Sequence, residues 1–408
     1  MKFEAPRGTL DTLPAEQPLR DAILAVADSV AARYGYGRIL TPTFEDTELF
    51  ARTSGEGSDV VTKEMYTFTD QAGRSLTLRP EATAAIARAY LEHGLHREAQ
   101  PVKAYLVGPM FRYAAPQRGR YREFWQIDFE GIGSDDPALD AELIQLFTEL
   151  AREIEIPAVR LELNSIGDRQ CRPAYLRRLE EFLAAHAERL DDEARQKASA
   201  SPLRVFDSKN PEVQRVLAEA PTIGDSLCQP CREHFDSVRA FLDAYGVEYD
   251  VKPTLVRGLD YYTRTVWEFI DDDLEAAQST ICAGGRYDYL IEAIGGPPTP
   301  GVGWAAGVER LAMSSGLDSP RRRIDVFFAV DAGAPRQQVL ALMARLRREG
   351  RSADTDYAGR SLKGQLTQAQ RLGARTIVIA DAEGYTLRRR GELDVRLASL
   401  DEVERALA

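Results

Sequence analysis

Phe111-Arg112-Tyr113-Ala114-Ala115-Pro116-Gln117-Arg118-Gly119-Arg120-Tyr121-Arg122-Glu123-Phe124-Trp125-Gln126 sets four arginines within eleven residues of a chain whose formal net charge is −12. Arginine presents a rigid fork of donors that meets phosphate oxygens two at a time, and an aromatic such as Phe124 can stack on a base. A solvated hairpin tip has the same composition, so the stretch alone leaves both readings open. Its flanks are more definite. Residues 103–113 and 121–130 are extended on either side of the Pro, Gly and Arg tip, which predicts an antiparallel strand pair around a basic loop.

Upstream, Leu19, Ile23, Val26, Val30 and Ala31 recur at three- and four-residue steps, a helix face over 18–34 that Gly35 and Gly37 stop. A strand ending at Pro42 is expected next. Residues 60–79 read as a hairpin, with Met65 to Phe68 and Ser75 to Leu78 flanking the turn cluster Asp70-Gln71-Ala72-Gly73. A helix over 82–91 should follow Pro80, then a helix at 140–153 and a strand at 159–163. Residues 168–245 change to charged helical segments, at 175–190 and 230–245, and predict a helical insertion. Strand patterns return at 265–269 and 301–303, before a helix over 305–313. Ser314 to Arg323 contains Gly316, Pro320 and three arginines, the composition of a linker. Beyond it 326–330, 336–348, 376–380 and a last helix alternate strand and helix, as in a small parallel α/β domain.

At 408 residues the chain exceeds what one hydrophobic core usually spans, so at least two domains are expected, 1–320 and 321–408. Residues 321–408 hold 17 Lys and Arg against 12 Asp and Glu, a balance of +5 that leaves −17 for the rest. A polyanion would dock more readily there, although charge alone also fits a well-solvated domain. The opening Met-Lys-Phe-Glu-Ala-Pro-Arg-Gly lacks an apolar signal core, and no stretch reaches the length a membrane helix needs. A cytoplasmic protein without membrane attachment is expected. Four cysteines in a chain this long do not make a disulfide framework.

Three further segments carry chemistry. In Val256-Arg257-Gly258-Leu259-Asp260-Tyr261-Tyr262-Thr263-Arg264-Thr265-Val266-Trp267-Glu268, paired tyrosines beside an arginine suit either an edge strand or a pocket for a polar, phosphorylated ligand. Ala283-Gly284-Gly285-Arg286-Tyr287-Asp288 and Gly301-Val302-Gly303-Trp304-Ala305-Ala306-Gly307-Val308-Glu309-Arg310-Leu311 carry glycines of the kind that let backbone approach a nucleotide or that serve close packing. None of His93, His96, His186 or His234 lies in these segments, and no GxxxxGK[ST] loop occurs.

Together with Leu78-Arg79-Pro80-Glu81-Ala82-Thr83, these segments resemble the class II histidyl-tRNA synthetases in order and wording. The helix and strand ending at Pro42 look like that family's motif 1, 111–130 like motif 2 and 301–311 like motif 3. RGLDYYTRTVWE and AGGRYD resemble its two histidine-specific motifs, and the terminal domain is similar to its anticodon-binding domain. The resemblance implies an α/β protein: an α+β catalytic domain on an antiparallel sheet, with the helical insertion at about 168–245, and a small parallel α/β anticodon-binding-like domain.

It also implies ATP-dependent joining of L-histidine to histidine tRNA through an adenylate, in a homodimer, with Mg²⁺ accompanying ATP. Arg112 and Arg257 would flank the α-phosphate, and Phe124 and Arg310 would sandwich adenine. Glu81, Thr83 and Gln126 match positions that hold the amino group, while Glu130, Tyr261 and Tyr262 match those lining the imidazole. A site built to bond both ring nitrogens rejects apolar analogues strongly.

The match has departures. Motif 2 usually carries a glutamate and often an arginine where Ala114 and Ala115 stand here, and Tyr289 replaces a usual glycine. The alternative reading is therefore a synthetase-like regulatory subunit of ATP phosphoribosyltransferase that senses histidine without charging tRNA; such paralogues typically lack the terminal domain. Cys228, Cys231 and His234 with distant Cys171 offer a tetrahedral zinc set, but no second close CxxC pair accompanies them, so a protein-bound metal is not expected.

Overall fold

Alternation along one strand explains where the site lies. In Glu123–Ile132 the side chains of Ile127 and Phe129 enter the main core, while Phe124, Gln126 and Asp128 line a cavity and Glu130 lies buried just beneath it. Successive strand side chains point to opposite faces, so one strand supplies both a core wall and a polar floor. Its partner in the expected antiparallel pair is Val102–Phe111. The structure, a computed structural model, describes residues 3–54, 60–274, 279–319 and 323–407.

Eight strands make the main sheet, in the order Gly37–Arg38, Val102–Phe111, Glu123–Ile132, Gly301–Gly307, Thr280–Arg286, Thr263–Ile270, Arg160–Ser165 and Asp250–Val251. The interior is antiparallel, and only the two-residue strands at its ends pair in parallel. Helix Pro137–Glu153 covers the core face. Asp136 caps it, accepting from the Ala138 N–H at 2.9 Å, and Pro137 opens its first turn. Phe147 sits 4.5 Å from Phe269 between ring centroids and 5.2 Å from Trp304, which itself stacks on Phe129 at 4.7 Å. Helix Gln17–Tyr34 adds Ile23, Ala27, Val30 and Ala31 to the same core, and Gly35 ends it at φ 74°.

Several expectations shift. The strand ending at Pro42 is paired only over Gly37–Arg38, with Phe44–Asp46 entering a separate three-stranded sheet with Tyr66–Thr69 and Ser75–Leu78. The hairpin at 66–78 forms as read, Asp70 Oδ1 accepting from the Ala72 and Arg74 N–H groups, but Val60–Glu64 ahead of it is helical. The insertion has its own small core, from Tyr175 through Val205 and Val216 to Ile223. Helix Gln229–Tyr245, read as part of it, buries Phe235, Val238 and Leu242 in the main core instead.

The chain divides into two compact units, Met1–Leu13 with Leu19–Asp318, and Pro14–Pro18 with Ser319–Ala408. In the second, Ala353–Thr355, Val326–Val330 and Thr376–Asp381 are parallel as expected. Gly384–Arg389 and Val395–Leu397 continue that sheet antiparallel, so it is mixed, not wholly parallel. Asp381 shapes the intervening tight turn by accepting from the Glu383 N–H at 2.8 Å. Among the described residues no helix is long and apolar enough to cross a membrane.

Candidate active site

The register of the sheet builds the cavity floor. Glu130 stands opposite Gly303, and Gly303 opposite Gly285; one step along, Asp128 faces Ala305, which faces Ala283; beyond that, Gln126 faces Gly307. Small residues in the middle strands leave a flat bed between the acids of one strand and Arg257 with its partner Glu268 on the far side. The glycines here do more packing than turning. A Cβ on Gly303 would fall 1.8 Å from Glu130 Oε2, one on Gly301 would strike the Tyr287 ring at 2.2 Å, and one on Gly285 would meet the Tyr262 ring at 2.7 Å. Without a side chain at these positions, Glu130, Tyr287 and Tyr262 fit against the sheet.

The cavity wall includes Glu81, Thr83, Gln126, Asp128, Tyr261, Tyr262 and Tyr287. Thr83 donates to Glu130 Oε1 at 2.6 Å, and the Tyr287 hydroxyl donates to Glu130 Oε2. Glu81 Oε1 accepts from the Ala84 N–H at 3.0 Å, whereas Glu81 Oε2, Gln126 Oε1 and Asp128 Oδ2 are buried with no partner among the described residues. Burial pushes the Glu81, Asp128 and Glu130 carboxyls above the usual range, with the Glu81 charge pushing Asp128 further. Three acceptors without donors in a buried pocket form a receptor for a cationic donor such as an ammonium group.

The same wall also carries cations. Arg112, Arg120, Arg257 and Arg310 all line it, brought from three separate stretches of chain. Arg112 is fixed by donation to the Pro80 carbonyl at 2.8 Å and lies 5.4 Å from the Phe124 ring centre. Arg310 donates to the carbonyls of Gly119, at 3.1 Å, and Thr280, at 2.6 Å. Burial, then repulsion from Arg112 and Arg120, depresses the Arg310 proton affinity, which an arriving anion would relieve. Arg257 donates to Glu268; burial acts against its charge, but Glu268 together with Tyr262, Asp207 and Tyr261 raises its proton affinity above the ordinary value.

The cavity thus gathers Arg112, Arg257, Arg310, Phe124, Glu81, Thr83, Gln126, Tyr261 and Tyr262, with Glu130 directly beneath. Of the four arginines in the basic loop, Arg120 joins Arg112 on the wall, Arg122 lies over the Tyr113 ring and donates to the Ala114 carbonyl, and Arg118 is exposed. Tyr287, Asp128 and Glu309 escaped the sequence reading. Each lies inside a motif-like stretch, Asp128 in 111–130, Tyr287 in AGGRYD and Glu309 in 301–311, but none was singled out there. Arg286 of AGGRYD is turned the other way, fully buried on Asp140. The cysteine set also changes: His234 Nε2 lies 3.2 Å from Asp140 Oδ1, and Asp168 takes its place beside Cys171, Cys228 and Cys231.

The chain is similar to known proteins over most of its length. The family model described as histidyl-tRNA synthetase matches residues 8–311. A histidine–tRNA ligase of Desulforamulus reducens is 46% identical over 384 residues, 93% of this chain and 91% of its own. One of Nocardia farcinica is 48% identical over 389 residues, 93% of this chain and 91% of its own. The crystal structure of apo S. aureus histidyl-tRNA synthetase superposes with a TM-score of 0.81 at 32% identity, over the full length of both chains. On the sheet, the cavity and these matches together, the chain belongs to the histidyl-tRNA synthetase family.

Proposed function

We propose that this cavity joins L-histidine to histidine tRNA in two ATP-driven steps. A histidine carboxylate oxygen attacks the α-phosphorus of ATP, the bond to the bridging oxygen breaks, and diphosphate leaves as histidyl-adenylate forms. A hydroxyl of the tRNA's terminal ribose then attacks the histidyl carbonyl, loses its proton, and AMP departs. Positioning and charge neutralisation supply most of the acceleration in such transfers. The observation that carries this reading is one cavity whose wall holds both a set of guanidinium groups and unpartnered buried acceptors.

Arg112 and Arg257 flank the α-phosphate in this scheme, and Phe124 with Arg310 holds adenine. Ala114 offers no side-chain acceptor to the adenine amino group, so backbone carbonyls must serve. Glu81, Thr83 and Gln126 receive the α-ammonium group; Tyr261, Tyr262 and the Glu130–Tyr287 pair face the imidazole. Mg²⁺ comes with the ATP phosphates and needs only one or two protein carboxylates. Glu309, on the wall beside Arg310, fits that need. The unit beginning near residue 321, with its positive balance, is assigned to the anticodon arm, and the exposed Gln117 and Arg118 to the acceptor end. The working form is a cytoplasmic homodimer, a reading supported by the motif 1 resemblance.

Histidine-dependent exchange of labelled pyrophosphate into ATP, followed by charging of histidine tRNA, tests the scheme. Well-folded protein that binds histidine but shows no exchange would instead be the regulatory subunit, the reading that Ala114 favours. The retained arginines and terminal unit weigh against it.

Two substitutions test the histidine contacts. Glu130→Ala should raise the KM for histidine about 10- to 100-fold, the size of one lost hydrogen bond to a charged group, with the KM for ATP little changed. Unaltered discrimination against other amino acids would remove Glu130 from imidazole recognition. Gly303→Ala places a Cβ against both Glu130 and the Phe129 carbonyl. Overpacking there should cost about 1–3 kcal/mol of stability and raise the histidine KM more than the ATP KM. Equal effects on both would mean the glycine serves the sheet alone.

A further inference from the structure

Outside the cavity, four side chains converge where the chain leaves strand Arg160–Ser165 and where helix Gln229–Tyr245 begins. The ligating atoms of Asp168, Cys171, Cys228 and Cys231 all lie within 4.8 Å of one another. Cys171 Sγ is 3.9 Å from Cys231 Sγ and 3.5 Å from Asp168 Oδ1, and Cys228 Sγ is 3.9 Å from the same oxygen. Tetrahedral zinc, with bonds of about 2.3 Å to sulfur and 2.0 Å to oxygen, sets sulfurs about 3.8 Å apart and sulfur and oxygen about 3.5 Å apart. Three of the six spacings match such a shell closely, and the remaining pairs lie within 4.8 Å. A disulfide would engage two of these groups and leave the other two idle.

The backbone around the cluster suits an anionic shell. Cys171 is the residue before helix Arg172–Ala185, and Cys228 the residue before helix Gln229–Tyr245, so two helix N-termini end at the cluster. The positive end of a helix favours nearby negative charge. Arg264 Nη2, 3.9 Å from Asp168 Oδ2, tempers the remaining negative charge. Gly167, at φ 64°, keeps the space open, since a Cβ there would meet Cys171 Sγ at 2.6 Å. Asp168, Cys171 and Cys231 are buried and Cys228 is partly exposed, which gives a cation a way in.

We propose that Asp168, Cys171, Cys228 and Cys231 bind a thiophilic divalent cation, of which zinc fits best. Three sulfur ligands select against magnesium and calcium. This reverses the sequence expectation, which looked for a second CxxC pair and took His234 as the fourth ligand. The site is a staple. It ties the start of the insertion to the helix that follows it, and Arg172, next to Cys171, donates to the carbonyls of Ile166, Gly167 and Tyr262 at 3.0, 3.0 and 2.6 Å. The staple therefore reaches the Tyr262 wall of the cavity.

The test reads metal, not activity, and is independent of the proposed reaction. Full-length protein, purified under reducing conditions without chelator, should carry one zinc per chain by elemental analysis. Replacement with Co²⁺ should give tetrahedral d–d bands and a thiolate-to-cobalt charge-transfer band. Cys228→Ser, at the most exposed ligand, should weaken zinc retention at least about tenfold, the lower end of what even outer-shell changes cost. Asp168→Cys, which completes a four-sulfur shell, should release zinc to a competing chelator more slowly than the parent. The proposal is overturned by parent protein with less than about one zinc in ten chains and no cobalt spectrum, since a formed site of this kind binds tightly. Unchanged retention in Cys228→Ser, or a native disulfide between any two of these cysteines, overturns it equally.

Discussion

Arg257→Ala should lower histidine-dependent pyrophosphate exchange about 10²- to 10³-fold, or roughly 2.7–4 kcal/mol, the scale for removing one preorganised donor from a transition state. Arg257 is held by Glu268, whose second oxygen accepts from the Thr280 hydroxyl at 3.0 Å, and its Nε has no partner among the described residues. A donor fixed in this way need not reorganise as charge builds on the α-phosphate. The loss should fall mainly on kcat, because the donor acts most strongly as charge builds in the transition state; Tyr262 and Tyr261 lie close enough to Arg257 to influence its charge, so a smaller rise in the KM for histidine should accompany it. Removing the guanidinium also leaves Glu268 facing the phosphate. Arg257→Ala with Glu268→Gln should recover part of the rate, which separates lost stabilisation from new repulsion. A fall of less than threefold in the single variant would remove Arg257 from the mechanism.

What could be read in the sequence was local. Asp70 and Gly73 carry their turn chemistry with them, and the strands around the basic loop are long enough to declare themselves. Thr280–Arg286 was not recognised as a strand, because Gly284 and Gly285 erase the β-propensity signal; they are tolerated where the Trp267 and Tyr262 rings crowd the sheet. Ala305 and Ala306 read as helix by propensity, yet they end a strand whose Trp304 is stacked on Phe129. The helical character of 230–245 was visible, but not the core that it covers. Most site residues were found through their motifs, though Asp128, Tyr287 and Glu309, inside the same stretches, were not. Asp128 was missed, because nothing in its surroundings distinguishes a cavity carboxylate from a solvated one until the register is known. Pairings across long separations, such as His234 or Arg286 with Asp140, leave no trace in a single sequence.

That last pairing carries the largest expected stability effect. The Arg286 and Asp140 side chains are both completely buried. Arg286 Nε lies 3.2 Å from each Asp140 oxygen, Nη2 donates to Asp140, and Nη1 donates to the Ser134 carbonyl at 2.9 Å and to Asp288 at 3.2 Å. Asp140→Ala strands a buried cation and should cost about 3–5 kcal/mol in chemical denaturation. Asp288 also accepts from Thr263 at 3.1 Å, and Tyr287 between the two reaches Glu130, so the damage should extend to histidine binding. Replacing both charges, as in Asp140→Leu with Arg286→Met, should restore most of the loss, because well-packed apolar residues can substitute for a buried pair. Burial raises the Asp140 carboxyl, but Arg286 and then His234 outweigh it and hold it well below the usual range. Its folded value being lower than its unfolded one, the carboxylate contributes stability above the ordinary carboxylate range and loses it as pH falls. The stability gap between the parent and Asp140→Asn should therefore be level from neutral pH to about 5 and narrow below about 4. A gap under about 1 kcal/mol at neutral pH, within the range of exposed ion pairs, would show that the pair does not organise this core.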